Sequence, residues 1–136
     1  MIEIVPAIIG HEFKELQTKI GLVEDLVKWV QIDVMDGLFA SSYSWHNPVD
    51  LQTLDGKTKL EIHLMVEEPE HELAEWLKVA DRILIHYEST QQLPKILETF
   101  THSPVKFGLV LLLETPLEVL DQYAGKLEHI QLMGIR

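Results

Sequence analysis

Two segments of this chain rhyme, and the rhyme restricts the fold more than any other feature. They are Val30-Gln31-Ile32-Asp33-Val34-Met35 and Glu61-Ile62-His63-Leu64-Met65-Val66. Alternate side chains of a strand share a face. Val30, Ile32 and Val34 therefore make one aliphatic face, and Ile62, Leu64 and Val66 another. The reverse faces carry Gln31, Asp33 and Met35, and Glu61, His63 and Met65. A carboxylate and an imidazole, each followed two residues later by methionine, have the character of an active-site floor. A parallel strand covered by helices on both sides would be apolar on both faces. These strands expect cover on one face only.

Strand and helix patterns alternate along the whole chain. Strands are expected at 2–9, 29–35, 59–66, 82–87, 105–113 and 129–133. Between them lie helical spacings: Phe13, Leu16, Ile20, Val23 and Val27, with Gly21 weakening the middle; a short helix at 48–54; Leu73, Trp76 and Leu77 after Pro69; Leu93, Ile96, Leu97 and Phe100; and Leu117, Leu120, Tyr123 and Ala124 after Pro116. Asp36-Gly37 marks a turn, and the loop after it holds Ser41, Ser42, Ser44, Trp45 and His46. Repeated strand–helix units favour a parallel sheet with covering helices. The fourth strand (Leu84, His86, Glu88) and the sixth (His129, Gln131, Met133) repeat the one-sided polarity. That pattern selects a (β/α)8 TIM barrel over an open doubly wound sheet, because a barrel is helix-covered only outside. With about six strands and five helices, residues 1–136 read as a single partial TIM-barrel domain; a full barrel takes about 250 residues.

Apolar residues are 46% of the 136, enough for a core. The formal charge of −11 argues against nucleic acid and anionic membrane as partners. It also means that a phosphorylated substrate needs a local positive site. The absence of cysteine excludes disulfides and thiolate chemistry. No apolar run approaches membrane-spanning length, and the chain opens directly into a strand pattern without a signal peptide. A cytoplasmic protein is the expectation.

The strings Gln31-Ile-Asp33-Val-Met35-Asp-Gly37, Ile62-His63-Leu-Met65-Val, His86-Tyr-Glu88, Gly108 through Thr115-Pro116, and Leu132-Met133, with Val5-Pro6-Ala7-Ile8 before them, fall in a familiar order and spacing. Over essentially its whole length the chain resembles the ribulose-phosphate 3-epimerases. The resemblance implies an isomerase of the pentose phosphate pathway that interconverts D-ribulose 5-phosphate and D-xylulose 5-phosphate through an enediolate. It implies a divalent metal (Zn, Fe, Mn or Co) at the barrel mouth, held by a His and an Asp on strand two, a His on strand three and a second Asp on strand seven. Carried over, Asp33 is the first Asp, an acid/base as well as a metal ligand, and His63 is the strand-three ligand. Met35, Met65 and Met133 line the pocket beside the substrate.

Three departures accompany the match. Gln31 stands where the family has its first metal-binding His, leaving it a doubtful ligand and a candidate substrate contact. Ala7 stands at a substrate-contacting Ser position. The match stops just after Met133, before the strand with the second Asp and the phosphate-binding loops. A fragment of a longer gene product is the favoured explanation, over a chain that assembles with another copy or a decayed paralogue. By itself the chain is expected to be impaired or inactive. His86 and Glu88 share a face on strand four and read as supporting or packing residues. His11, His46, His71 and His102 read as loop or surface residues. The alternative function is a non-catalytic sugar-phosphate-binding barrel. Decarboxylases and aldolase-like synthases of the same barrel type fit less well, because no lysine sits among the inner polar residues at the mouth; Lys59 begins its strand at the other end.

Overall fold

The computed structural model describes residues 1–135. Its strands are β1 (Ala7–Ile8), β2 (Trp29–Met35), β3 (Lys59–Met65), β4 (Arg82–His86), β5 (Lys106–Leu111) and β6 (His129–Leu132). They form one six-stranded sheet in the order β1-β2-β3-β4-β5-β6. Every neighbouring pair is parallel. Sequential parallel order is what a chain of strand–helix units builds when each crossover has the same hand, and the sheet curls into part of a (β/α)8 barrel.

The outer face is the aliphatic one. Val30, Ile32, Val34, Ile62, Leu64, Ile83, Ile85 and Leu109 are fully buried there. They pack with Leu16 and Ile20 of α1 (Phe13–Gly21), with Leu73 and Trp76 of α2 (Leu73–Trp76), and with Leu93, Ile96 and Phe100 of α3 (Leu93–Thr101). The inner face has its own apolar patch, Leu84 and Val110, also fully buried. Gly108 is required beside it, since a Cβ there would come within 2.3 Å of Leu84 Cδ2 and 3.0 Å of His129 Cδ2.

Five expected elements are markedly shorter or tighter than their patterns. The first strand was expected over 2–9, but only Ala7–Ile8 pair with β2. Ala7 is in register with Gln31, so residues 2–4 overhang the start of β2 and have no partner. The first helix ends at Gly21, a residue that weakens helices by about 1 kcal/mol; Val23 and Val27 reach the core from the turns that follow. After Pro69 the chain makes a 3-10 turn, Pro69–His71, before the four-residue α2. The helix expected after Pro116 is a 3-10 run, Leu117–Tyr123, with no buried residue. Most helical stability comes from packing an apolar face, and this run brings only the partly buried Leu120 and Tyr123 against the core. The short helix expected at 48–54 is likewise 3-10, Pro48–Thr53.

Candidate active site

The rhyming strands lie side by side in register: Gln31 against Glu61, Asp33 against His63, Met35 against Met65. Matching residue types therefore meet across the ladder on the inner face. Gln31 Nε2 donates to Asp33 Oδ1 at 2.7 Å and lies 3.4 Å from His63 Nδ1. His63 Nδ1 is in turn 3.0 Å from Asp33 Oδ1. Gln31 and His63 are buried, and the Asp33 side chain keeps 12% of its surface exposed. Asp33 is thus the member of the trio that reaches open space.

The cluster extends further than the strand-two and strand-three motifs. His63 Nε2 sits 2.8 Å from His86 Nε2 on β4. On its other side His86 Nδ1 lies 3.5 Å from Glu88 Oε2. Glu88 Oε1 accepts from the Leu112 backbone N–H at 2.9 Å and from the Thr115 hydroxyl. Burial, reinforced by His63, pushes the His86 pKa down to about 4, against the opposing pull of Glu88. His86 is therefore neutral at pH 7. The supporting role expected of His86 and Glu88 has a definite form: they are the continuation of the Asp33–His63 contact.

The loop after β2 closes over the strand ends. Gly37 takes φ +76, the left-handed conformation that a glycine tolerates best. Partial burial pushes the Asp36 carboxyl up, but backbone N–H bonds from Glu67, Leu38 and Phe39 outweigh it and hold it below the usual carboxylate value. The buried Ser44 hydroxyl accepts from the Met35 N–H at 2.9 Å and lies 3.1 Å from the Asp33 carbonyl, fixing the loop to the end of β2. Phe39 packs against the His86 ring, centroids 4.8 Å apart. His46 is a loop residue, as expected, but not a surface one. It is half-buried against Trp76 and paired with Glu72, which also accepts from Trp76 Nε1 at 2.8 Å. Nothing in the residue types of this loop distinguishes Ser44 from Ser41 or Ser42, so its anchoring role was missed.

The remaining candidates sit around this cluster. Met35 and Met65 are paired and partly buried at the ends of their strands. Ala7 is exposed on β1 beside Gln31. Met133 follows β6; its N–H donates to the Leu111 carbonyl at 3.1 Å and its sulfur lies 3.9 Å from Gln131 Nε2. At the opposite end of the sheet, buried Glu61 pairs with Arg82, whose guanidinium stacks 4.3 Å over the Trp29 ring. Lys59 is there too, 5.3 Å from the Trp29 ring centre, which keeps it away from Asp33 and His63.

The divalent metal implied by the sequence resemblance can be tested against these donors. Asp33 Oδ1 and His63 Nδ1 have a separation that two ligands of one ion can share, with each about 2.1 Å from it. Among the described residues no group of three or more His, Cys, Asp or Glu side chains could hold a metal. The third position beside the pair is filled by the Gln31 amide. A zinc centre takes at least three protein ligands, and the two donors here with the Gln31 amide fall short of that set.

No helix of the described residues is long and apolar enough to cross a membrane. The family model described as "Ribulose-phosphate 3 epimerase family" matches residues 3–136. A ribulose-phosphate 3-epimerase of Bacillus subtilis is 30% identical over 99% of this chain and 64% of its own length. One from Synechocystis is also 30% identical, over 98% of this chain and 60% of its own length. A chloroplastic ribulose-5-phosphate-3-epimerase of Arabidopsis thaliana is 29% identical, over 96% and 48%. The chain thus spans less than two thirds of the length of these relatives. A match running from the third residue to the last, on a fold with the expected strand order, makes this chain a member of the ribulose-phosphate 3-epimerase family.

Proposed function

We propose that this chain is the part of an isomerase that supplies one acid/base group for epimerising a ketose phosphate, D-ribulose 5-phosphate to D-xylulose 5-phosphate, at the carbon beside the ketone. The observation that carries the reading is Asp33. It is a partly open carboxylate held by the Gln31 amide beside His63 at the C-terminal end of the strands, where barrel enzymes of this type do their chemistry. Epimerisation removes the C3 proton and returns one on the opposite face, which needs two acid/base groups. Asp33 takes the proton from one face. The Gln31 amide holds the carboxylate oriented, and the paired Met35 and Met65 give the neighbouring floor an apolar, polarizable surface. The second group belongs, by resemblance, to a strand after Met133, so the 136 residues alone are expected to invert little or no substrate. Soluble, cytoplasmic action on a phosphorylated pentulose follows from the same family reading, as does assembly with another copy.

With one carboxylate on one face, the chain is expected to exchange the C3 proton of ribulose 5-phosphate slowly with D2O, without forming xylulose 5-phosphate. Proton NMR of the sugar follows both. Exchange that Asp33→Asn leaves untouched overturns the catalytic assignment. A second reading, a sugar-phosphate-binding barrel without catalysis, is favoured by the Gln31 amide seated at the position of a metal ligand. Saturable ribulose 5-phosphate binding with no exchange at all supports it instead.

A further inference from the structure

We propose that His86 and Glu88 are positioning residues that fix the His63 ring as its Nε2–H tautomer, presenting a bare Nδ1 to Gln31 and Asp33. The inference deepens the proposed epimerase site and rests on that reading only for its consequence; the tautomer itself is independent of turnover. Four contacts determine it. Glu88 Oε1 accepts two hydrogen bonds, from the Leu112 N–H and the Thr115 hydroxyl, leaving Oε2 to face His86 Nδ1 at 3.5 Å. Both of these facing atoms are buried with no hydrogen-bond partner. A proton on Nδ1 makes the two complementary, whereas a lone pair there would oppose the carboxylate. A neutral ring protonated at Nδ1 is bare at Nε2. His86 Nε2 must then accept from His63 Nε2, 2.8 Å away. The two rings are inclined by only 23°, which suits an in-plane bond between their nitrogens.

His63 with its proton on Nε2 is bare at Nδ1. Its nearest donor is Gln31 Nε2, at 3.4 Å, and the same amide group donates to Asp33 Oδ1 at 2.7 Å. An NH2 group has two hydrogens, so Gln31 can serve both acceptors. This gives the substituted residue a physical role. It places partial positive charge between a carboxylate oxygen and an imidazole lone pair that otherwise face each other at 3.0 Å. The donors then run from Gln31 through His63 and His86 to Glu88, while the second Gln31 hydrogen goes to Asp33.

Histidine tautomers are read directly from two-bond 1H–15N correlation spectra of the labelled 136-residue chain at pH 7, with signals assigned by single His→Gln variants. The expected wild-type result is His63 in the Nε2–H form and His86 in the Nδ1–H form. His63 found as Nδ1–H overturns the proposal without any variant. The decisive substitution is Glu88→Gln. The Leu112 N–H can only donate, so the new amide keeps its oxygen there and turns its NH2 to His86 Nδ1. His86 must then carry its proton on Nε2 and donate to His63, whose proton moves to Nδ1. Inversion of both tautomers in a variant that keeps the wild-type backbone spectrum supports the orienting role; unchanged tautomers in such a variant refute it. Absence of Asp33-dependent exchange of the C3 proton of ribulose 5-phosphate would refute the proposed function and leave these results standing.

Discussion

The middle of the sheet and its β6 edge carry the same alternation but different burial. Ile62 and Leu64 on β3 are completely covered on the outer face, whereas Ile130 and Leu132 on β6 are 46% and 58% exposed there. The two strands differ in what packs on them, not in side-chain type. α1, α2 and α3 cover β2 to β5, while the 3-10 run before β6 buries none of its residues. The inner face follows the same division. Gln31, Glu61, His63 and His86 are buried polar groups on interior strands, each with named partners. The teaching is that the candidate site stands where strands are flanked on both sides, since only there can neighbouring strands supply the partners that buried polar groups require.

The sharpest way to break this comparison is to cut the same kind of side chain in both regions. Ile62→Ala removes a fully buried aliphatic from a strand with neighbours on both sides. The expected loss is about 2–5 kcal/mol, the range for large-to-small core changes, read as a lower urea midpoint. A loss below about 1 kcal/mol would mean that the centre of the sheet is not the packed region described above.

The next effect is linked to pH and comes from the buried imidazole. The His86 pKa is about 4 in the fold against an ordinary value of 6.5. The unfolded chain therefore binds more protons than the folded one between these values, so stability falls as pH drops from 6.5 to 4 and levels off below. The shift corresponds to about 3 kcal/mol at most. Urea titrations at pH 7, 5.5 and 4 are expected to show this loss in the wild type, and a shallower one in His86→Gln. Identical pH slopes for the two proteins would remove His86 as the cause.

The one-sided polarity of strands two, three, four and six was legible in the sequence because strand alternation is local and the residue types on each face differ sharply. The repeated strand–helix units pointed to a parallel sheet, and the one-sided polarity pointed to the inner face and put Asp33, His63 and Gln31 on it. Register completed what periodicity could not. Only the pairing of Asp33 with His63, and the reach of His63 to His86, shows that the polar floor is continuous as far as Glu88. The metal reading rests on residue types at single positions, and the structure adds where the Gln31 amide goes: beside Asp33 and His63. His46 and Ser44 were opaque for a related reason. Their partners, Glu72 of the next strand–helix unit and the Met35 N–H nine residues away, are set by how the loop folds back rather than by its composition.

The smallest effect belongs to the edge. Leu132→Ala deletes a leucine side chain that is more than half exposed on the outer face of β6. Little apolar area leaves water when it is present, so the expected change is within about 0.5 kcal/mol, as for surface positions generally. Its measurement beside Ile62→Ala is informative because the hydrophobic content removed is nearly the same and only the surroundings differ. A Leu132→Ala loss approaching that of Ile62→Ala would show that the β6 face is covered in solution. The urea midpoint would then depend on protein concentration if the cover is a second copy, and would be independent of it if the cover comes from the chain itself.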